Sequence, residues 1–441
     1  MTLPTAGYSI MPVHLEVPEL PFLQVIQVQP SRLDFDTNDY EARACVIRDV
    51  VKYLVAPPEA VPILLKPGAL PPPADLAKPR SPFLACFPEL YSPVDLLLDE
   101  VAPVLQPGQI ISTGLSPLQP HPADAASFFT LKELQSLEAK LSEDHAGVRL
   151  KTPDLLTKLI HEVRTYGGVA NLAATLMVET DSRPSLILHS KIAASKFERN
   201  LSLDHSTVSG HLLHPIKLKD PSGRSMFILP MICSDFIEPD DHFGKTILRK
   251  LADDREPVID LISVLNVQKI DTSTNRPVLW PKEVRRVLEE LAENRFGGTF
   301  QAAHVLLTNV GGFRLEGKES SGGHTSAVIL GSKSSRTELQ LKLLKQWSGP
   351  ATLWGSGQWT LESSSRDSYW YDHEALIKSQ FQPDAPPLLT QLRLAHTGQG
   401  SKALVQIFRL RLNGKLGLEA IQDGQLLEIG ESGAANIKGT S

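Results

Sequence analysis

The sequence has few cysteines, no long apolar run and no strong excess of either charge. Its three cysteines, Cys45, Cys86 and Cys233, are too sparse for a disulfide scaffold, and none has zinc-ligand spacing. No apolar run reaches the roughly 18–20 residues that cross a bilayer. The first residues lack the basic and apolar parts of a secretory signal. These absences favour a reducing, cytoplasmic location and give no reason to expect a membrane partner.

Charge and composition exclude two further classes of protein. Lys and Arg total 44 against 50 Asp and Glu, a formal net charge of −6 over 441 residues, so a strongly basic nucleic-acid binder is not expected. A hydrophobic content of 41% is too high for a disordered chain. At about 100–200 residues per domain, the length suits a few small domains or one large α/β domain with insertions.

Apolar strands alternate with helices over the first 310 residues, which predicts an α/β fold. A capping box at Thr130 and Glu133 starts one predicted helix, and Pro153 lies at the first position of another. The predicted helices are 39–55, 130–145, 152–164 and 281–294. The predicted strands are 22–29, 82–87, 108–114, 169–179, 185–191, 211–218, 226–233, 258–267, 302–310, 325–330 and 403–412.

Two segments look like additions to this pattern. Residues 57–82 contain nine prolines in 26 positions, which predicts an extended loop and rules out a regular helix or a central strand. The helices at 130–145 and 152–164 resemble an inserted hairpin. The region after about residue 415 is rich in glycine and polar residues, and we expect a flexible tail there.

Three predicted strands are followed by polar residues that an apolar strand does not need. Glu89 follows the strand at 82–87, Lys191 ends the strand at 185–191, and Cys233 ends the strand at 226–233. In open α/β sheets the carboxyl ends of strands face the ligand crevice. Singly, each has an ordinary explanation: a buried thiol, a surface carboxylate or a solvated ammonium. Together, Glu and Lys are costly to bury unless they pair.

These segments resemble the carbon–nitrogen hydrolase (nitrilase) superfamily over roughly residues 20–332. FLQVIQVQ looks like its opening strand, and ACFPEL, with Glu89, looks like its strand followed by Pro-Glu. LILHSKIAASKFE resembles the lysine motif around Lys191. The turn DPSGR and the strand FILPMICSDF resemble the elbow that carries the nucleophile, here Cys233. The order Glu, Lys, Cys is that of the family.

The resemblance implies an α-β-β-α four-layer sandwich over residues 21–345, with insertions at about 57–82 and 119–166. Residues 1–20 would then be an N-terminal extension, and residues 346–441 a C-terminal extension with strands and a tail. It also implies hydrolysis of a small-molecule amide or carbamoyl compound through a thioester, without a cofactor or metal. Members often assemble as homodimers or higher oligomers, and the insertions offer a surface for a protein partner.

The roles implied by the resemblance are specific to residues. Cys233 would be the nucleophile, Glu89 the general base and Lys191 the oxyanion stabiliser. Cys-Ser-Asp at 233–235 favours amides over nitriles, for which the family usually carries Trp-Glu after the cysteine. The supporting residues would be Glu198, Asp235 and Asn309.

Other interpretations stay open at this point. A nitrilase-like module without activity would keep the fold and bind a partner or ligand, and Ala193, where the family often has His, favours this alternative. The same thioester could instead transfer its acyl group to an amine. Lys196 competes with Lys191 for the lysine role. Asp204, His205 and Ser206 are adjacent in sequence, and since no G-x-S-x-G elbow exists they predict a polar turn.

Overall fold

The structure is a computed structural model that describes the following parts of the chain: 9–30, 40–55, 63–65, 82–117, 128–142, 147–192, 207–208, 212–233, 235, 261–265, 304–308, 327–333, 339–346, 390–395, 402–411, 417–419, 425–429 and 435–439. It is a mixed α/β structure with several sheets.

The described helices are α1 (Tyr40–Val55), α2 (Leu131–Ser142) and α3 (Pro153–Tyr166), with a π-helical turn at Leu96–Val101 and a 3₁₀ turn at Ala102–Val104. In chain order the strands are β1 (Ser9–Ile10), β2 (Val13–Glu16), β3 (Phe22–Pro30), β4 (Ile63–Leu65), β5 (Phe83–Cys86), β6 (Ser92–Pro93), β7 (Gln109–Ser116), β8 (Arg149–Leu150), β9 (Leu172–Val178), β10 (Pro184–Ser190), β11 (Leu212–Leu213), β12 (Ile216–Lys219), β13 (Ser225–Ile232), β14 (Leu261–Leu265), β15 (His304–Thr308), β16 (Ala327–Lys333), β17 (Leu339–Gln346), β18 (Thr390–Ala395), β19 (Lys402–Arg411), β20 (Gly417–Glu419), β21 (Gln425–Ile429) and β22 (Ala435–Gly439).

The strands of the described chain form two main sheets. The large sheet has the order β4-β22-β21-β18-β19-β3-β5-β7-β9-β10-β8. Its centre is parallel from β3 through β5 to β7, and β9 and β10 then add antiparallel. The second sheet has the order β17-β16-β15-β14-β13-β12-β2, and β13, β14 and β15 are parallel in it. Strands β5 and β9 are apolar over most of their length because both of their faces are buried, and β7 is buried along its whole length as well.

One core lies between the large sheet and the three helices. Alternate residues of β3, β5, β7, β9 and β10 point to this side and pack against the apolar stripes of the helices, since side chains alternate along a strand and recur every three or four residues on a helix. The helical residues in this core are Ala44, Val46, Ile47, Val50, Val51, Leu54, Leu134, Leu137, Leu141, Leu155, Leu156, Leu159, Ile160 and Val163.

A second core lies between the two sheets. It joins Val25, Leu84 and Met177 of the large sheet to Ile228 and Leu265 of the second sheet, among others. The two sheets therefore pack face to face, with the helices on the outer side of the large sheet.

The outward face of the second sheet is also buried. Four residues of β13 and β14 alternate with residues of the core between the sheets and therefore point away from that core. Each of them is at most 1% exposed: Leu229, Met231, Ile262 and Val264.

The helix predicted at 281–294 lies outside the described residues.

Both predicted helices are present, α2 over Leu131–Ser142 and α3 over Pro153–Tyr166. Their capping box is confirmed as well: Glu133 Oε2 accepts hydrogen bonds from the Thr130 backbone N–H and hydroxyl, at 2.7 and 2.8 Å. Both helices contribute to the main core, so they are part of the helical layer rather than a separate unit.

The C-terminal region continues the large sheet. Strand β19 pairs antiparallel with β3 from Ala403 to Arg411, beside the centre of the sheet. Strands β20, β21 and β22 lie after residue 415, at 417–419, 425–429 and 435–439. Within the proline-rich segment, Ile63–Leu65 forms the edge strand β4, a position that neighbouring prolines tolerate.

No helix in the described part of the chain is long and apolar enough to span a membrane.

Candidate active site

Strand β5 brings Glu89 to the carboxyl edge of the large sheet. The chain after β5 is held on β7 by backbone hydrogen bonds from Gly114 N–H to Pro88 O, at 2.9 Å, and from Tyr91 N–H to Gly114 O, at 3.1 Å. A Cβ atom at Gly114 would overlap the backbone of Glu89 and Leu90. The glycine at 114 therefore lets β7 approach the Glu89 backbone this closely.

Leu90, the residue after Glu89, has a φ of 56°, in the left-handed region that a branched side chain rarely adopts. The buried Arg43 on α1 donates from Nη1 to the Leu90 carbonyl oxygen at 3.2 Å and helps to hold this backbone in place. Strained backbone of this kind is found at functional sites, where the surrounding structure imposes it.

Lys191, directly after β10, forms a buried ion pair with Glu89. Its Nζ donates to Glu89 Oε1 at 2.9 Å, and the two side chains are only 3% and 4% exposed. Removing both charges from water is expensive, so such a pair persists only with close contact and further hydrogen bonds.

Asn171 supplies one of those hydrogen bonds. Its Nδ2 donates to the same Glu89 oxygen at 2.7 Å, and its backbone carbonyl accepts the Lys191 N–H at 2.9 Å. The motifs described above did not single out this residue. A signal was present all the same, since Asn171 is a polar residue immediately before the apolar strand LAATLMV.

Cys233 lies in a sharp turn at the end of β13. Its φ of 47° is again left-handed, an uncommon conformation for a residue other than glycine. Its backbone N–H donates to Leu265 O at 2.9 Å and continues the parallel pairing with β14. The side chain is partly buried and packs against the edge of the core between the sheets. In α/β-hydrolases a strained turn after a strand presents the nucleophilic serine.

Asp235 ties the turn of Cys233 to the segment that carries Lys191. Its carboxylate accepts the Ile192 N–H at 2.8 Å and the Ile232 N–H at 3.3 Å. These two N–H groups belong to the residue after Lys191 and the residue before Cys233. One buried carboxylate thus joins the two strand ends, which come from different sheets.

The other cysteines have different surroundings. Cys86 is fully buried, and its Sγ lies 3.3 Å from Ser263 Oγ of the facing sheet. Burial raises the pKa of the Cys86 thiol to about 12, although the Ser263 hydroxyl opposes the shift. Cys45 lies half-buried on α1.

A buried histidine lies two residues before Lys191. His189 Nε2 is 3.1 Å from Thr175 Oγ1 on β9. Burial, with a smaller contribution from His214, lowers the pKa of His189 to about 3, so the imidazole is neutral at physiological pH.

The structure thus brings Glu89 and Lys191 into contact and connects the turn of Cys233 to them through Asp235. The other two predicted supporting residues, Glu198 and Asn309, lie outside the described residues, as do Lys196 and 204–206. Over the described ranges, no group of three or more His, Cys, Asp and Glu side chains could hold a metal ion.

Comparisons with known proteins found distant similarities. No protein-family model matches the sequence, and no curated protein matches it. A carbon–nitrogen hydrolase structure from Helicobacter pylori G27 is 13% identical, with 75% of this chain and 86% of that chain covered and a TM-score of 0.31. An N-terminal amidase with a cysteine-to-serine substitution is 11% identical, with 74% and 94% covered and a TM-score of 0.31. Overlap this low assigns no activity, which has to be inferred from the site.

Proposed function

We propose that this chain is a thiol hydrolase that cleaves a non-peptide amide or carbamoyl C–N bond. In this proposal Cys233 is the nucleophile, Glu89 the general base and Lys191 the oxyanion stabiliser. The observation that carries it is the buried Glu89–Lys191 pair, connected through one carboxylate to a strained cysteine turn.

The first half of the reaction forms a thioester. A cysteine thiol is mostly protonated at neutral pH, so Glu89 takes its proton as the sulfur attacks the carbonyl carbon. The carbonyl oxygen becomes an oxyanion, which the Lys191 ammonium stabilises by charge and hydrogen bonding. The C–N bond then breaks, and Glu89 returns its proton to the leaving ammonia or amine.

The second half consumes water. Glu89, ionised again, removes a proton from a water molecule, whose oxygen attacks the thioester carbon. The C–S bond breaks, the acid product leaves, and the Cys233 sulfur recovers a proton. Each proton that Glu89 takes is thus given back within the catalytic cycle. These reaction steps use only groups of the chain, its substrate and water.

The burial of the pair supports catalysis over a purely structural role. A buried ion pair is weak evidence for stability, because well-packed apolar residues often stabilise a core equally well. A base and an ammonium with little access to solvent interact more strongly with reacting charges than they would in water.

The wider architecture belongs to the same proposal. We infer an α-β-β-α sandwich over 21–345. The outward face of the second sheet is buried, and we infer that a further layer covers it. The segments at 57–82 and 119–166 would be insertions, and 346–441 a C-terminal extension joined to the large sheet. A cytoplasmic location and a homodimer or higher oligomer are part of this proposal too, and native mass spectrometry would measure the oligomeric state.

The test combines labelling with turnover. The native protein is treated with iodoacetamide, labelled peptides are quantified by mass spectrometry, and ammonia release is measured over a library of amides and carbamoyl compounds. We expect Cys233 to react fastest and Cys86 not to react until the protein unfolds. Turnover should be lost in C233A and kept in the matched control C45A.

The same experiment tests the alternative of a binding module without activity. Labelling of Cys233 at the rate of Cys45, together with no turnover across the library, would contradict the hydrolase and favour that module. Turnover that survives in C233A would contradict the role of this cysteine.

A further inference from the structure

We infer that Asn171 is a positioning residue, which holds the Glu89 carboxylate in place while the Lys191 ammonium stabilises the oxyanion of the reacting carbonyl. This inference rests on the proposed function. Asn171 is fully buried and contacts both residues of the ion pair. Its side chain binds the carboxylate of Glu89, and its backbone binds the chain at Lys191.

The reason for a second donor is that Lys191 has two tasks. In the resting structure its ammonium donates to Glu89 Oε1 at 2.9 Å. As the oxyanion develops, the same ammonium, with three N–H donors, turns toward the substrate, and its contact with Glu89 weakens. The Asn171 amide, 2.7 Å from the same oxygen, remains on the carboxylate throughout.

The contacts also fix the orientation of the carboxylate. A carboxylate offers about four lone-pair directions, and the Asn171 amide and the Lys191 ammonium both donate to Oε1. Rotation of the carboxyl group would break both hydrogen bonds, so the two donors together oppose it. An amide suits this task because, unlike an ammonium, it cannot give its proton to Glu89 at neutral pH.

The strand that follows Asn171 offers a matched comparison. Thr175 of β9 is also buried, and its hydroxyl lies 3.1 Å from His189 Nε2 and 3.5 Å from Ser112 Oγ. If the hydrogen bonds of Asn171 and Thr175 served stability alone, loss of either one would have the same consequences.

The experiment uses p-nitrophenyl acetate as an acyl probe, with the released p-nitrophenolate followed by absorbance. The sulfur–acetyl bond forms as the phenolate leaves, and water then hydrolyses the thioester. For N171A, and for the isosteric N171D, we expect kcat per folded molecule to fall roughly tenfold to a hundredfold, the effect of losing a hydrogen bond to a charged group, with KM nearly unchanged. T175V should lose stability and keep its kcat.

A thermodynamic cycle measures the contact without any turnover. N171D places two carboxylates together and should lower the unfolding midpoint, and E89Q combined with N171D should recover part of the loss because Gln can donate to Asp. No recovery in the double variant would overturn the contact on which the inference depends.

Failure of the inference and failure of the proposed function give different results. A wild-type kcat in both N171A and N171D, with wild-type acylation that requires Cys233, overturns the role of Asn171 alone. If the wild-type protein shows no Cys233-dependent turnover with this probe or across the amide and carbamoyl library, the hydrolase proposal fails, and the inference fails with it.

Discussion

At the scale of residues, the ion pair of Glu89 and Lys191 matters most for stability and for the proposed chemistry. Both side chains are almost completely buried and joined at 2.9 Å, so each depends on the other for its charge to be tolerated. Sequence order placed both residues at strand ends, but their direct contact depends on strands that bring together residues 102 positions apart.

Loss of one partner should therefore cost far more than loss of an exposed ion pair. We expect K191M to lower the free energy of unfolding by about 3–5 kcal/mol, because it leaves the Glu89 carboxylate buried without its ammonium. R149M removes the ion pairs of a 42% exposed Arg149 with Asp181 at 3.3 Å and with Glu179 at 3.9 Å, and should cost about 1 kcal/mol or less. Urea denaturation measures both, and equal losses would contradict the importance of burial.

At the scale of elements, the site depends on how closely β5 and β7 approach at their carboxyl ends. Gly114 packs its Cα against the backbone of Glu89, and the left-handed Leu90 follows. Nothing in the local sequence GLS requires glycine, since the close contact comes from another strand.

G114A should consequently displace the Glu89 backbone. We expect a loss of stability of about 1–3 kcal/mol, as for other overpacked sites, together with a loss of Cys233-dependent turnover. Gly147, where an added Cβ meets no atom within 4 Å, provides the control G147A, whose left-handed φ costs stability without moving Glu89. Full activity in G114A would show that this contact does not position the base.

The start of α2 gives a second prediction at this scale. Thr130 and Glu133 exchange hydrogen bonds that satisfy the first N–H groups of the helix. T130A should lower stability by about 0.5–2 kcal/mol, measured by thermal or chemical unfolding. S142A, at the other end of the same helix, removes only an exposed hydroxyl and should have little effect, so a similar loss in both variants would contradict the cap.

At the scale of the whole molecule, two sheets pack face to face and enclose polar side chains beneath the site. Cys86 meets Ser263 across the sheets, and Thr175 meets His189 within the large sheet. The buried His189 is neutral, and this has a consequence for acid stability.

The pKa of His189 is about 3 in the folded protein, against 6.5 for an ordinary histidine. Below about pH 6.5 this histidine binds a proton in the unfolded chain but not in the folded protein. The contribution of His189 to the free energy of unfolding is therefore fully present above that pH and is lost as the pH falls toward 3. The slope from this one group is up to about 1.4 kcal/mol per pH unit. We expect urea denaturation between about pH 6.5 and 4.5 to show a smaller slope in H189Q.

Carboxyl groups with a pKa of about 4 also begin to bind protons near pH 4.5, and the comparison with H189Q subtracts their contribution. Because the comparison is between slopes, an overall loss of stability in H189Q does not affect it. Identical slopes in the two proteins would contradict a neutral buried His189.

The sequence by itself determined the local elements and the candidate chemistry. Apolar alternation marks the strands, Thr130 and Pro153 mark two helix starts, and Glu89, Lys191 and Cys233 stand out as polar residues at the ends of apolar strands. These features depend on neighbours within a few residues, which is why they can be read from one chain.

Only the tertiary structure decided which distant groups meet. Four contacts join residues that are far apart in sequence or fixed by backbone geometry. They are the pairing of β19 with β3, the close packing of Gly114 against Glu89, the hydrogen bond from Asn171 and the bridge made by Asp235. No local pattern encodes them, because hydrogen bonds and close packing depend on positions in space that the two sheets set together.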